Sequence, residues 1–343
     1  MSRGLLVTGG GGVGKTTVSA ALAIRAARMG VRTLVVTVDP ARRLAGALGV
    51  ADLGSEPSPH PDEDGLWAAM LDAASSWNTI VHRHTDAEVA ERLVQNPFFE
   101  AATSHFPASQ SYAAAEEAVT FLDARAWELV VVDTPPAAGG IDFFTAPAAM
   151  TDLIGGRLLR WLTGGRIPGR RFLFNRAARP ALRVADDILG SDLLERIAEF
   201  LMDLRTTYDG VARRSREIEA RLRKATTVVV TTADASPMRE AVRFFRELPE
   251  MATRPEAVIF NRTLPTSWID AKPGRASREL AENLHRWGLE SQRQRDLRLE
   301  FSARYRTGLA TIPWKERAPT DLDSLEELLD QSEGFDLSTL LRG

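Results

Sequence analysis

Cysteine is absent from all 343 residues. Disulfides are therefore excluded, as is every metal site built on thiolates, and no zinc is expected. An excess of charge of one sign is also missing: 43 lysines and arginines stand against 46 aspartates and glutamates, for a net charge of −3. Such a balance favours neither a nucleic-acid surface nor an anionic membrane surface, and no nucleic-acid partner is expected. The longest apolar runs are far short of the roughly 20 residues that a spanning helix needs, so no integral membrane segment is expected. The opening MSRGLLVTGG passes straight into a glycine-rich stretch without the pattern of a signal peptide, and a cytoplasmic location is expected. No short-period repeat or low-complexity tract interrupts the chain. Its length suits two or three domain-sized units, or one α/β domain with insertions.

What is present begins with residues 6–20, LVTGGGGVGKTTVSA. Gly9, Gly14, Lys15 and Thr16 satisfy G-x-x-x-x-G-K-[ST], with an apolar strand, Leu5 to Thr8, ahead and a helix behind. Glycines let the backbone curl and aim successive N–H groups at phosphate oxygens, and the start of the helix adds its own free N–H groups. Gly11, Gly12, Val13, Gly14, Lys15, Thr16 and Thr17 are thus the candidate nucleotide cradle. Lys15 would reach the β- and γ-phosphates, and the Thr16 hydroxyl would ligate a bridging Mg²⁺ directly. A dinucleotide fingerprint neither needs Lys15 nor explains Thr16. A bare glycine turn would lower local stability with no phosphate to justify it.

Further apolar runs alternate with helical stretches, as a parallel sheet requires. The first helix is expected from Thr16 to Met29, with Gly30 as C-cap. Strands are expected at Thr33–Val38, Leu129–Val132, Val228–Thr231 and Ala257–Phe260, apolar throughout and so covered on both faces. The loop glycines, Asp39, Asp133 and Asn261 stand at strand ends, where ligands of open parallel sheets bind. A doubly covered α/β core is therefore expected in 1–61, 129–140 and 226–343, with helical insertions at 62–128 and 141–225. The basic cluster at 165–183 reads better as a solvated face or loop than as a partner site.

Asp133 closes ELVVV beside the loop, where a carboxylate can hold a magnesium-bound water or accept from Thr16. The PPAAGG that follows combines a stiff bend with glycine hinges. Asp39 closes VVTV and precedes Pro40. A carboxylate there can orient water in line with the γ-phosphorus, or simply cap the next helix, and the residues alone leave both readings open. The Asn261 amide can donate and accept at once, which suits the edge of adenine; a loop-forming asparagine is the plainer reading.

GGGGVGKTT, VDPARRL at 38–44, VVDTPP at 131–136, FNR at 260–262 and TIPW at 311–314 occur in an order that resembles the ATPases of the arsenite-pump and tail-anchored-protein-targeting group, the ArsA/Get3-like family. The resemblance spans nearly the whole chain and looks closest to an actinobacterial branch in which two dissimilar relatives are often encoded together. It implies an α/β P-loop NTPase fold: a mostly parallel sheet flanked by helices, with the helical insertions. It implies Mg²⁺-dependent ATP hydrolysis, with Lys15 and Asp133 catalytic, Asp39 activating water in switch I, and Asp133 in switch II; both carboxylates would act on Mg²⁺ through water. Asn261, Arg262 and Pro313 then match the nucleotide-base loops. The family pattern K-G-G-x-G-K-[ST] carries a first lysine that crosses to the partner's nucleotide; here Gly10 takes its place, and Arg42 or Arg43, or the partner's lysine in a mixed dimer, would have to compensate. The Cys-x-x-Cys that holds zinc across the dimer in some relatives is missing, so arsenite pumping is not carried over.

The leading expectation is an ATP-driven dimer across the nucleotide face, either a homodimer or a mixed dimer with a lysine-bearing paralogue, that binds a protein partner or an apolar client. The 141–225 insertion, above all its apolar part at 143–162, is the candidate client-binding region, although ordinary helix packing explains that stretch as well. A partition or cell-positioning ATPase lacks support from a basic stripe or a membrane-targeting C-terminus. A small-molecule kinase or synthetase would need an enclosed polar acceptor pocket.

Overall fold

The computed structural model describes residues 2–38, 43–105, 107–135, 138–155, 191–251, 254–272, 274 and 277–342. Its strands are β1 (Arg3–Gly9), β2 (Thr33–Thr37), β3 (Ser58–Pro59), β4 (Leu66–Met70), β5 (Leu129–Asp133), β6 (Thr226–Thr231), β7 (Ala257–Thr263), β8 (Gly308–Pro313) and β9 (Glu333–Gly334). The described helices are α1 (Lys15–Arg28), α2 (Arg43–Leu48), α3 (Ala73–His84), α4 (Ala87–Val94), α5 (Pro97–His105), α6 (Pro107–Asp123), α7 (Ala138–Gly155), α8 (Ser191–Leu222), α9 (Ala235–Met251), α10 (Arg278–Tyr305) and α11 (Leu322–Asp330). They divide into two compact units: 1–72, 117–144 and 221–343 form the first, and 73–116 with 145–220 the second.

The first unit holds a sheet in the order β3-β4-β2-β5-β1-β6-β7-β8-β9. Every pairing from β4 to β8 is parallel, and the two-residue edges β3 and β9 pair antiparallel. This is the mostly parallel α/β P-loop fold expected from the alternation. Leu5, Val7, Val35, Val131, Val228, Val230 and Ile259 face one way, into a cluster with α1 and α11. Leu6, Leu34, Val36, Val130, Val132, Val229, Val258 and Phe260 are fully buried as well. Both faces are covered, which is why these strands show no polar alternation.

Helix α1 is the central helix of this unit: Val18 and every residue from Ser19 to Ile24 are buried. It ends where Gly30 takes φ +81°, and its last-turn arginines compensate the negative end of the helix. Arg25 pairs with Glu326 and Asp330, and Arg28 with Glu63, Asp323 and Glu326. α11 carries a capping box between Asp321 and Ser324.

Register positions the site. Thr37 of β2 and Val7 of β1 both lie beside Asp133 on the intervening β5. The chain leaving β1 therefore turns at the carboxyl ends of β5 and β2. From β1 it crosses to β2, beyond β5, whereas β6 lies on the other side of β1; that reversal is where open α/β sheets leave a crevice. Strand β4 falls inside the stretch read from sequence as the start of a helical insertion. Its LWAAM pairs with β2 over five residues, and the first unit extends to Asp72.

The second unit, described by itself, is helical. Trp77 stacks on Tyr112 at 5.5 Å and meets Phe99 edge-on, and its indole N–H donates to Ser109 O. Glu116, 2% exposed, is bridged by Arg83 at 2.6 Å and Arg214 at 2.7 Å. The basic cluster 165–183 and the last part of the 143–162 stretch lie outside the described residues. No helix among the described residues is long and apolar enough to cross a membrane.

Candidate functional site

The loop leaves β1 through Gly9, whose φ is +149°; a Cβ there would stand 2.0 Å from Val230 O on β6. Gly14 caps α1 with φ +93°, and its Cβ would meet Asn261 Nδ2 at 2.3 Å. Between them, a Cβ on Gly11 or Gly12 would enter open space. Lys15 is only 7% exposed, and its Nζ donates to Gly10 O at 2.8 Å, across the mouth of the loop. Val13 turns its side chain into the core, so it can offer a ligand only its backbone.

A cavity of about 480 Å³ opens beside this loop, lined by Gly12, Gly14, Lys15, Thr16, Thr17, Arg43, Gly46, Ala47, Asp133, Thr134, Arg262 and Pro319. Asp133, 1% exposed, sits at its floor. Its Oδ2 accepts from Thr16 Oγ1 at 2.7 Å and Thr37 Oγ1 at 3.0 Å, and its Oδ1 from Ser19 Oγ at 3.5 Å. Thr16 thus spends its proton on the carboxylate and keeps its lone pairs for another group.

The end of β7 closes the other side. Asn261 Nδ2 donates to Val13 O at 2.9 Å and its Oδ1 accepts from Arg262 N at 2.9 Å. Arg262 takes φ +57°, a left-handed conformation costly for a residue that carries a Cβ, and its Nη2 donates to Gly12 O at 2.7 Å. Pro313 lies opposite Thr263 on β8, and the next residue donates from Trp314 N to Thr263 O at 2.9 Å. The cavity reaches Pro319 rather than Pro313.

The structure brings together the 11–17 loop, Asp133, Asn261 and Arg262. Asp39, with Pro40, Ala41 and Arg42, lies outside the described residues, as do Pro136 and Ala137. Sequence reasoning missed Thr37, Ser19 and Pro319, whereas Arg43, a candidate to replace the charge missing at Gly10, does line the cavity. Thr37 carried one usable signal, a hydroxyl two residues before an acidic strand end; Pro319 carried none.

The donors fit the implied groups. The open space over Gly11 and Gly12, with a buried lysine beside it, suits a polyanion. Thr16 and Asp133 are hard oxygen donors, as Mg²⁺ prefers. Among the described residues no group of three or more His, Asp or Glu is placed to hold a metal ion.

A family model described as anion-transporting ATPase matches residues 2–285. An uncharacterized protein of Streptomyces coelicolor is 32% identical over 292 residues, covering 82% of this chain and 68% of that protein. A putative arsenical pump-driving ATPase of Halobacterium salinarum is 31% identical over 156 residues, 43% of this chain but only 24% of that protein. The ATPase GET3 of Malassezia globosa is 23% identical over 259 residues, 75% of this chain and 71% of that protein. On the match over residues 2–285, around a phosphate loop set at the carboxyl end of a parallel sheet, the chain belongs to the anion-transporting ATPase family, the ArsA/Get3-like group of ATP-hydrolysing P-loop proteins.

Proposed function

We propose that this chain binds Mg·ATP in the crevice beside residues 11–17 and hydrolyses it as one half of a dimer closed over the nucleotide face. The observation that carries the reading is the Thr16–Asp133 contact at 2.7 Å on the floor of a cavity walled by Lys15 and Arg262. Lys15 and the loop N–H groups hold the phosphates. Thr16 would ligate Mg²⁺, with Asp133 beside it acting through water. Mg²⁺, when bound, supplies charge compensation at the β- and γ-phosphates. Asp39 orients the attacking water, and Asn261, Arg262 and Pro313 border the base.

In this reading the chain is of a branch that lacks both the crossing lysine and the zinc site, which Gly10 and the absence of cysteine support. A lysine-bearing paralogue as second subunit would restore the missing charge, and cytoplasmic ATP would drive the cycle. The helical insertions, 62–128 and 141–225, would transmit closure to a protein partner or apolar client, the logic of a nucleotide switch.

Calorimetry with ATP and Mg²⁺ on wild type and Lys15→Ala tests the nucleotide site. Loss of most binding in the variant is expected, and equal affinities would remove Lys15 from the site.

A further inference from the structure

A second cavity, of about 420 Å³, lies at the amino ends of the central strands, opposite the phosphate loop. Arg3 opens β1, Thr226 opens β6, and Glu256 immediately precedes β7. The facing wall is the short turn Leu337–Leu340, with Arg342 just beyond it. All of these residues belong to the first unit. The seven residues of β1 separate the two cavities by roughly 20 Å, so one small ligand cannot occupy both.

Arg3, Arg221, Lys224 and Arg342 line this cavity against one acid, Glu256. That local excess runs against the chain as a whole, whose net charge is −3. Two of the cations are pinned by the protein. Arg221 donates from Nε to Asp123 Oδ1 at 3.0 Å and from Nη2 to Leu122 O at 2.9 Å, and Arg3 donates from Nη2 to Leu341 O at 2.7 Å. Each guanidinium has five N–H donors, so both keep some in reserve. The other two cations are exposed, and neither Lys224 nor Arg342 has an ion-pair partner among the described residues. Asp336 attracts Arg342 only from beyond ion-pair distance. The Thr226 hydroxyl likewise has no hydrogen-bond partner among the described residues. Like charges around a concave wall repel one another and focus their field on the space between them. An anion in that space relieves the repulsion, and donors already pinned lose little freedom in binding it.

We infer that this cavity binds a small phosphate monoester. Arginine forks meet phosphate oxygens two at a time, and a lysine adds a point charge. The volume falls in the range of small-molecule sites, about 300–1,000 Å³, and suits a phosphoryl group with a short organic remainder. No residue of this cavity lines the nucleotide site, so the inference stands apart from the function proposed above. Binding is non-covalent and involves no chemical step.

The test is calorimetry of inorganic phosphate and of glycerol 3-phosphate with the full chain carrying Lys15→Ala, which weakens the phosphate loop as a competing site. Saturable binding of both is expected, the ester at least as tightly as the free ion. Adding Lys224→Gln and Arg342→Gln should weaken both by roughly tenfold or more. Lys224→Arg with Arg342→Lys keeps the charges and should stay within about threefold. Glu256→Gln removes the opposing charge and should tighten binding by about threefold. Urea unfolding of each variant establishes that it is folded, and Lys224→Gln alone replaces the pair if the pair is not. No saturable binding in the Lys15→Ala protein overturns the inference, as does binding of the free ion without the ester. Equal affinity with and without the Lys224 and Arg342 charges, or no tightening in Glu256→Gln, overturns it by placing the anion elsewhere.

Discussion

Replacing Asp133 by asparagine removes one charge at nearly constant volume, and the structure allows its consequences to be separated. Without nucleotide, the carboxylate accepts from Thr16 at 2.7 Å and Thr37 at 3.0 Å. A hydrogen bond to a charged group contributes about 1.5–3 kcal/mol, and a neutral one about 1. Both hydroxyls donate to the same oxygen, Oδ2, so the amide can keep both by setting its own oxygen there and turning its N–H towards Ser19 Oγ. Two bonds falling from charged to neutral strength then cost about 1–4 kcal/mol. Relief from burying a carboxylate that is 1% exposed acts in the opposite sense, with a similar size. The net change in the ligand-free protein should therefore be small, about 1 kcal/mol.

Nucleotide separates the two proteins. Ligand at 100 times its dissociation constant stabilises the native state by about 2.7 kcal/mol. ATP without Mg²⁺ rests on Lys15 and the loop N–H groups, which do not need Asp133, so its contribution should survive. The additional Mg²⁺-dependent part should mostly vanish, because the amide offers no charge to the ion or its waters. Urea unfolding with ATP, with and without Mg²⁺, measures both parts. A Mg²⁺ increment equal in wild type and Asp133→Asn, within about 0.5 kcal/mol, would refute the placement of this carboxylate beside the ion. A ligand-free loss above about 4 kcal/mol would show instead that the hydroxyl cluster is chiefly a structural clasp.

Asp39→Asn should keep ATP-analogue affinity yet lose most single-turnover hydrolysis; unchanged turnover would leave Asp39 as a helix cap. Gly11→Ala should leave urea stability within about 0.5 kcal/mol, because its Cβ meets open space, and should weaken ATP binding by roughly tenfold or more, because that space is the phosphate's; retained affinity would move the phosphate elsewhere. Gly9→Ala should instead cost about 3 kcal/mol or more through its 2.0 Å approach to Val230 O, seen as insoluble or early-melting protein. Burial holds the His84 ring below its usual pKa, with Arg83, Arg214 and Arg213 acting the same way and Glu116 opposing them. The unfolded chain then binds the proton more readily, so this histidine's contribution to stability is present above about pH 6.5 and declines as pH falls below it; a stability–pH slope between 7 and 5 that is unaltered in His84→Gln would contradict this.

How much of this was legible in the sequence depends on how local each cause is. β1, β2, β5, β6 and β7 are apolar on both faces, so their runs announce themselves without tertiary information. β4, with LWAAM, and β8, with GLATIP, hold few β-branched residues, and they become strands by pairing with β2 and β7. The site divides in the same way. A phosphate loop is a local conformation and carries its own letters. The clasp on Asp133 depends on register, since Thr37 is 96 residues away in sequence and beside it only because β2 and β5 pair as they do.

The four consecutive glycines make the limit plainest, because they read alike and have four different causes. Gly9 is excluded from having a side chain by the carbonyl of Val230, Gly10 lies against the carboxylate of Glu240, Gly11 opens onto empty space, and Gly12 holds φ +72°. Only the positive φ of Gly12, and of Gly9 at +149°, is a backbone preference of glycine itself. The Gly9 contact follows from the pairing of β1 with β6, and that of Gly10 from the docking of α9. A pattern match therefore finds the loop but cannot distinguish the glycine that tolerates alanine without strain from the one that the adjacent strand forbids. Gly9→Ala and Gly11→Ala are the two substitutions that make this distinction measurable, one in stability and the other in nucleotide affinity.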